Sequence, residues 1–155
     1  MKDSISVGIF GLGNVGLGVV RLLEKNRADI EKRVGKPVRI VKAVVANPKK
    51  DRGMDLSGMV VGSDPGLILD DPQIDIVLEL VGGLDAAQDI ILGALKKGKS
   101  VVTANKALLA EKGRVIFPAA HDAKGCFGFE TSVGTAVPII RTLRESFAGD
   151  DILSI

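Results

Sequence analysis

Gly11, Gly13 and Gly16 stand in the string Gly11-Leu12-Gly13-Asn14-Val15-Gly16, directly after a compact apolar run from Ile5 to Phe10. Glycines at this spacing between a strand and a helix have a specific use. The first permits a tight turn, the second lets a pyrophosphate come close to the backbone, and the third lets the helix pack against the strand. The start of that helix adds unpaired N–H groups and a partial positive charge. The loop from Gly11 through Leu12, Gly13, Asn14 and Val15 to Gly16 is therefore expected to bind a dinucleotide. A tight turn without a ligand is the plainer use of the same residues.

An acidic residue for the adenosine ribose is expected at the end of the second strand, and none stands there. Asn47-Pro48-Lys49-Lys50-Asp51-Arg52 occupies the region. A carboxylate would repel a 2′-phosphate, whereas Lys49 and Arg52 can bind one, so the loop leans towards NADP. Asp51 could still reach a ribose and keeps NAD open. A solvated basic loop is the alternative.

The elements that must position these residues follow an alternating rhythm. Ile5 to Phe10 predicts a buried strand. After the glycines, Val15, Val19, Leu22, Leu23 and Ile30 recur at intervals of three, four and seven residues and predict an amphipathic helix. Val38 to Val45 reads as a second strand, Met59 to Val61 as a short third, and Ile74 to Leu80 and Ser100 to Ala104 as two more. A helix from about Asp85 to Lys97 lies between the last two, with Gly98 as its stop. Cys126 to Phe129 would form a last strand and Pro138 to Phe147 a last helix. Strands alternating with helices imply a doubly wound α/β fold with a mainly parallel sheet, and ligands at the strands' carboxyl ends.

At 155 residues, with 46% hydrophobic and 26% charged residues, the chain fits one globular domain. A net charge of +2 is too small for the positive face that phosphate backbones need, and an aromatic content of 3% leaves no stacking platform. Nucleic acid is not an expected partner. The single Cys126 excludes an internal disulfide and a multi-cysteine zinc site, and fits a reducing compartment. As a lone cysteine in a strand it is expected in the core, and the lone His121 at the surface. The apolar run ending at Phe10 is too short for a signal peptide or membrane span, so the cytoplasm is the expected location.

Four segments in order resemble the homoserine dehydrogenase family: the glycine string, Asp75-Ile76-Val77-Leu78-Glu79-Leu80-Val81-Gly82-Gly83, Val101-Val102-Thr103-Ala104-Asn105-Lys106-Ala107-Leu108, and Phe129-Glu130-Thr131-Ser132-Val133-Gly134-Thr135-Ala136-Val137-Pro138-Ile139-Ile140. The resemblance spans nearly the whole chain. It implies a Rossmann-type NAD(P)-binding domain over residues 1–155. It further implies interconversion of homoserine and aspartate 4-semialdehyde by hydride transfer at the nicotinamide C4, within threonine, methionine and isoleucine biosynthesis. The lysine of the Asn-Lys pair falls at Lys106, beside nicotinamide and substrate. There an ammonium can bind either partner electrostatically, and as a neutral amine it could move protons. Gly82 and Thr103 are implied as further cofactor contacts.

The last segment resembles the family's monovalent-cation loop, in which a glutamate and nearby backbone carbonyls bind sodium, and the resemblance implies Glu130, Val133, Thr135 and Val137 as the ligands. Oxygen ligands suit a hard cation, and capping of the following helix is the alternative role for Glu130. Two departures stand out: the family often has Gly where Thr135 and Ala136 stand, and Pro118 is expected to interrupt a helix. By the same resemblance the family continues into a substrate domain that carries the dimer interface, so this chain reads as a truncated piece whose linker begins near residues 148–155. An aspartate-dehydrogenase-like enzyme and a non-catalytic nucleotide sensor are the competing readings.

Overall fold

The computed structural model of the chain describes residues 2–151 and Ser154. Met1, and Ile152, Leu153 and Ile155 of the expected linker, lie outside the described residues. Six strands form one sheet: β1 (Ile5–Phe10), β2 (Val38–Val44), β3 (Val60–Gly62), β4 (Ile76–Glu79), β5 (Ser100–Thr103) and β6 (Phe127–Gly128), in the order β3-β2-β1-β4-β5-β6. Each neighbouring pair is parallel. The expected doubly wound fold is thus present, with the sheet wholly parallel. Its order reverses between β1 and β4, which opens a crevice at their carboxyl ends.

The helices are α1 (Asn14–Lys25), α2 (Arg27–Val34), α3 (Gly66–Leu69), α4 (Asp85–Lys96), α5 (Lys106–Asp122) and α6 (Ile139–Arg141), which runs on as a π turn through Thr142–Ser146. On one face of the sheet, Phe10, Val77 and Val101 pack against Ile68 of α3, Ile91 and Leu95 of α4, and Leu108 and Ile116 of α5. Each fully buried Ile or Leu of this kind contributes about 1.5–3 kcal/mol. On the other face, Ile9 and Ala43 pack with Leu12 and Val20 under α1. Phe117, Phe127 and Phe129 form a third contact, joining α5 to β6, and Arg144 lies over the Phe129 ring.

Several local expectations are corrected. The helix after the glycines breaks at Asn26, whose side-chain amide and backbone N–H both donate to the Leu22 carbonyl and end the regular ladder. Its buried face runs through Gly16 and Val20, while Val15 and Leu22 are each 56% exposed. The side-chain-free Gly16 lets that face, one position along from Val15, settle on the sheet. Pro118 does not interrupt α5, which is continuous from Lys106 to Asp122. Proline removes one helical donor, here to Arg114, and both residues are exposed, so water can satisfy the freed carbonyl. Cys126 lies outside β6 and is exposed rather than in the core. Pro138 precedes α6 instead of opening it. The short α3 was not foreseen.

Candidate cofactor-binding site

The glycine loop turns between β1 and α1 at the sheet's switch point. Gly11 has φ +93°, and a Cβ on it would lie 2.6 Å from the Leu80 carbonyl oxygen. A Cβ on Gly16 would lie 2.1 Å from the Gly11 carbonyl oxygen, so helix and turn touch where only glycine fits. Gly13 is different: nothing stands within 4 Å of where its Cβ would be. The middle glycine therefore faces open space at the helix start. No side chain caps α1, its first turn holds no acid, and its first internal bond runs from Leu17 N–H to the Gly13 carbonyl at 2.9 Å. The amides before Leu17 are left for an anion. Leu12 is buried in the core, so only its backbone can face a ligand.

Opposite the loop, the ends of β4 and β5 are tied by hydrogen bonds around Glu79, which is 0% exposed. Its Oε2 accepts from the Thr103 hydroxyl at 2.6 Å and its Oε1 from the Val81 N–H at 3.0 Å. Thr103 Oγ1 in turn accepts from the Asn105 N–H at 3.0 Å. Asn105 caps α5 by accepting from the Leu108 N–H at 3.1 Å, and its amide donates to the Gly83 carbonyl at 2.7 Å. Gly82 and Gly83 both have φ +74°, which bends the chain back over the strand ends. A cleft of about 340 Å³ results, lined by Val15, Glu79, Gly82, Asn105 and Lys106 among others.

Lys106 is exposed at the first residue of α5, and its Nζ donates to the Thr131 carbonyl at 3.2 Å. Gly82 and Lys106 thus line the same cleft as Val15 of the glycine loop. Thr103 does not open onto it: its side chain is buried and committed to Glu79 and Asn105. The sequence reading gave no role to Glu79 or Asn105. A carboxylate in an otherwise apolar strand run was the signal that could have found Glu79.

Lys49 and Lys50 are exposed in the turn after β2. Arg52 folds back, donating to the carbonyls of Lys50 at 2.7 Å and Asn47 at 2.9 Å, so it braces the loop. Its buried Nε has no partner among the described residues.

The segment after β6 is pinned to β5 by the Ser132 hydroxyl, which donates to the Thr103 carbonyl at 2.8 Å. Glu130 accepts from the N–H groups of Ile140 at 2.8 Å and Arg141 at 2.9 Å, which caps α6. The Val137 carbonyl is used by the Ile139 N–H, whereas those of Val133 and Thr135 accept no hydrogen bond among the described residues. The donors are all oxygens, which suits a hard monovalent cation, but such an ion would share the Glu130 carboxylate with a helix start. Among the described residues no group of three or more His, Cys, Asp or Glu side chains gathers as a metal site. Thr135 has φ +57°, the one non-glycine residue with a positive φ among those described.

A parallel sheet of this order, with a glycine turn at its switch point and an uncapped helix start above it, defines a dinucleotide-binding domain of the Rossmann type. A family model for the homoserine dehydrogenase NAD-binding domain matches residues 11–130. The chain belongs to the homoserine dehydrogenase family, as its NAD-binding domain. It is 39% identical to the homoserine dehydrogenase of Bacillus subtilis over 96% of its own length and 34% of the relative's. With that of Mycobacterium bovis it shares 40% identity over 99% of the chain and 34% of the relative. A crystal structure of a homoserine dehydrogenase from Thiobacillus denitrificans superposes with a TM-score of 0.86 at 41% identity, over 94% of this chain and 33% of that one. The chain thus spans about a third of the length of these relatives. Family membership favours this reading over an aspartate-dehydrogenase-like enzyme or a nucleotide sensor. Among the described residues no helix is long and apolar enough to cross a membrane.

Proposed function

We propose that this domain holds the cofactor for a homoserine dehydrogenase, an oxidoreductase that interconverts L-homoserine and L-aspartate 4-semialdehyde in threonine, methionine and isoleucine biosynthesis. The observation that supports this most is the convergence of the glycine loop, the Gly82 turn and Lys106 on one cleft. The Gly13 side of the loop and the amides at the start of α1 would take the pyrophosphate. The nicotinamide half would lie over β4 to β6, the half of such a sheet that does not carry the glycine loop. When bound, the nicotinamide C4 accepts or gives the hydride. Lys106, at the rim of that half, would place a positive charge beside the reacting carbon–oxygen group of the substrate.

NADP is the proposed preference over NAD, supported by the exposed Lys49 and Lys50. Arg52 would have to leave its loop carbonyls to join them. A sodium ion on Glu130 and the carbonyls of Val133, Thr135 and Val137 is also proposed, and a higher melting temperature in sodium than in choline chloride would support it. The cytoplasm is the proposed location. Residues 148–155 are proposed to lead into a substrate domain through which the whole protein forms a homodimer.

The test is to express the chain with the remaining two thirds typical of its relatives and to follow NADPH formation from L-homoserine. Reduction of NADP+ with homoserine, and none with aspartate, is the expected result. Activity with aspartate alone would overturn the proposal.

A further inference from the structure

Glu79 is a fully buried carboxylate, and no cation lies within 4 Å of it among the described residues. Its two partners, the Thr103 hydroxyl and the Val81 N–H, are neutral donors. The Thr103 hydroxyl donates to one oxygen and the Val81 N–H to the other, so both carboxylate oxygens serve as acceptors. Keeping a charge in this state opposes folding, since neutral donors return only part of the lost hydration. A neutral side chain of the same shape would tie β4 to β5 without that cost, so the charge itself needs a use.

The surroundings indicate the use. Glu79 and Lys106 are the two charged residues lining the cleft between the glycine loop and the ends of β4 and β5. Lys106 is drawn away to the Thr131 carbonyl and does not neutralise the carboxylate. The ligand placed here carries a charge that changes with its chemistry. The oxidised nicotinamide ring is a cation and the reduced ring is neutral.

We propose that Glu79 is the residue by which this domain discriminates between the redox forms of its cofactor, its buried charge favouring the cationic, oxidised ring. The proposal rests on the nicotinamide half lying over β4 to β6. Field from a buried charge is weakly screened, so the effect does not require contact with the ring. By stabilising the oxidised form, Glu79 would also shift the equilibrium on the protein towards hydride donation by the cofactor.

Glu79→Gln is the decisive variant. Its amide oxygen can accept from Val81 and its NH2 can donate to Thr103 Oγ1, which has a lone pair left, so contact with both partners is kept, the Thr103 bond with its direction reversed. Calorimetry of this chain with NADP+ and NADPH, and with NAD+ and NADH, reads the effect. Affinity for each oxidised form is expected to fall about tenfold, while that for each reduced form stays within about twofold. The cofactor-free melting temperature should change little, because removing the buried charge offsets the acceptor lost by the Thr103 hydroxyl. Glu79→Met, an apolar replacement of similar length, repeats the measurement if the glutamine variant does not fold. Equal losses for both redox forms would reduce Glu79 to a structural tie, and an unchanged ratio would overturn the proposal while leaving the cofactor site intact. A wild-type chain that binds neither form would instead overturn the cofactor placement and the proposal with it.

Discussion

A Cβ on Gly16 would stand 2.1 Å from the Gly11 carbonyl oxygen, whereas one on Gly13 would meet nothing within 4 Å. Two glycines of one loop are thus required for different reasons. Gly16→Ala is expected to lower stability by about 1–3 kcal/mol, since backbone must move to admit the methyl group. Gly13→Val is expected to keep the fold and lose cofactor binding, because the open space it fills is the one proposed for the pyrophosphate. Thermal melting and calorimetry on both variants check the contrast, and equal destabilisation by the two would contradict it.

Lys106→Ala should leave the fold intact, since the side chain is exposed and makes one bond to a carbonyl. In the proposed whole protein, losing a charge that acts in the transition state typically costs about 2.7–4 kcal/mol, or roughly a hundred- to thousand-fold in kcat/KM. Near-normal kinetics in a well-folded variant would make Lys106 a surface residue.

The basic turn after β2 gives a split result. Lys49→Ala with Lys50→Ala is expected to weaken NADP+ more than NAD+ and to leave the melting temperature unchanged, because both side chains are exposed. Arg52→Ala is expected to loosen the turn, because it removes the bonds to Lys50 and Asn47. Equal effects of the double lysine change on the two cofactors would remove the turn from 2′-phosphate recognition.

Thr135 occupies the left-handed region at φ +57°, which costs a residue with a Cβ roughly 1–2 kcal/mol. Thr135→Gly is expected to recover about 1 kcal/mol of this, the rest being offset by the extra freedom of glycine in the unfolded chain. A lower melting temperature for the glycine variant would mean that the threonine side chain holds the loop in another way.

Acid should weaken the end of the sheet opposite the cleft. The Lys42 ammonium and the Gln73 N–H hold the Asp71 carboxyl below the usual range. Burial alone would raise Asp75, but Lys2 and the Ser6 N–H outweigh it and lower that group too. A carboxylate lowered in the folded state adds stability that is complete above its unfolded pKa of about 3.9 and is lost as pH falls through the folded value. Melting temperature is therefore expected to drop below about pH 4, and Asp71→Asn to flatten that drop. An identical acid profile in the variant would assign the loss to other carboxylates.

The alternation of apolar runs with amphipathic stretches was enough to place all six strands to within two residues, because β-branched clusters and glycine stops are local features. Gly11, Gly13 and Gly16 were legible for the same reason, since their spacing between a strand and a helix is local, although the distant Leu80 carbonyl also crowds Gly11. Which face of α1 is buried was not. Val15 and Leu22 match a helical stripe, but a close contact between Gly16 and Gly11 sets the rotation of the helix. Pro118 was misleading because a helix already packed through Leu108 and Ile116 can forgo one hydrogen bond at an exposed position.

From the sequence alone came the fold class and the glycine turn, both carried by short-range spacing, and the resemblance of four segments to the family. Tertiary structure decided the partners. It set Thr103, 24 residues away in the chain, against Glu79, turned Arg52 onto its own loop, and committed Glu130 to the start of α6. The bond between Thr103 and Glu79 forms only once β4 and β5 lie side by side, and no spacing along the chain encodes which polar groups will then meet.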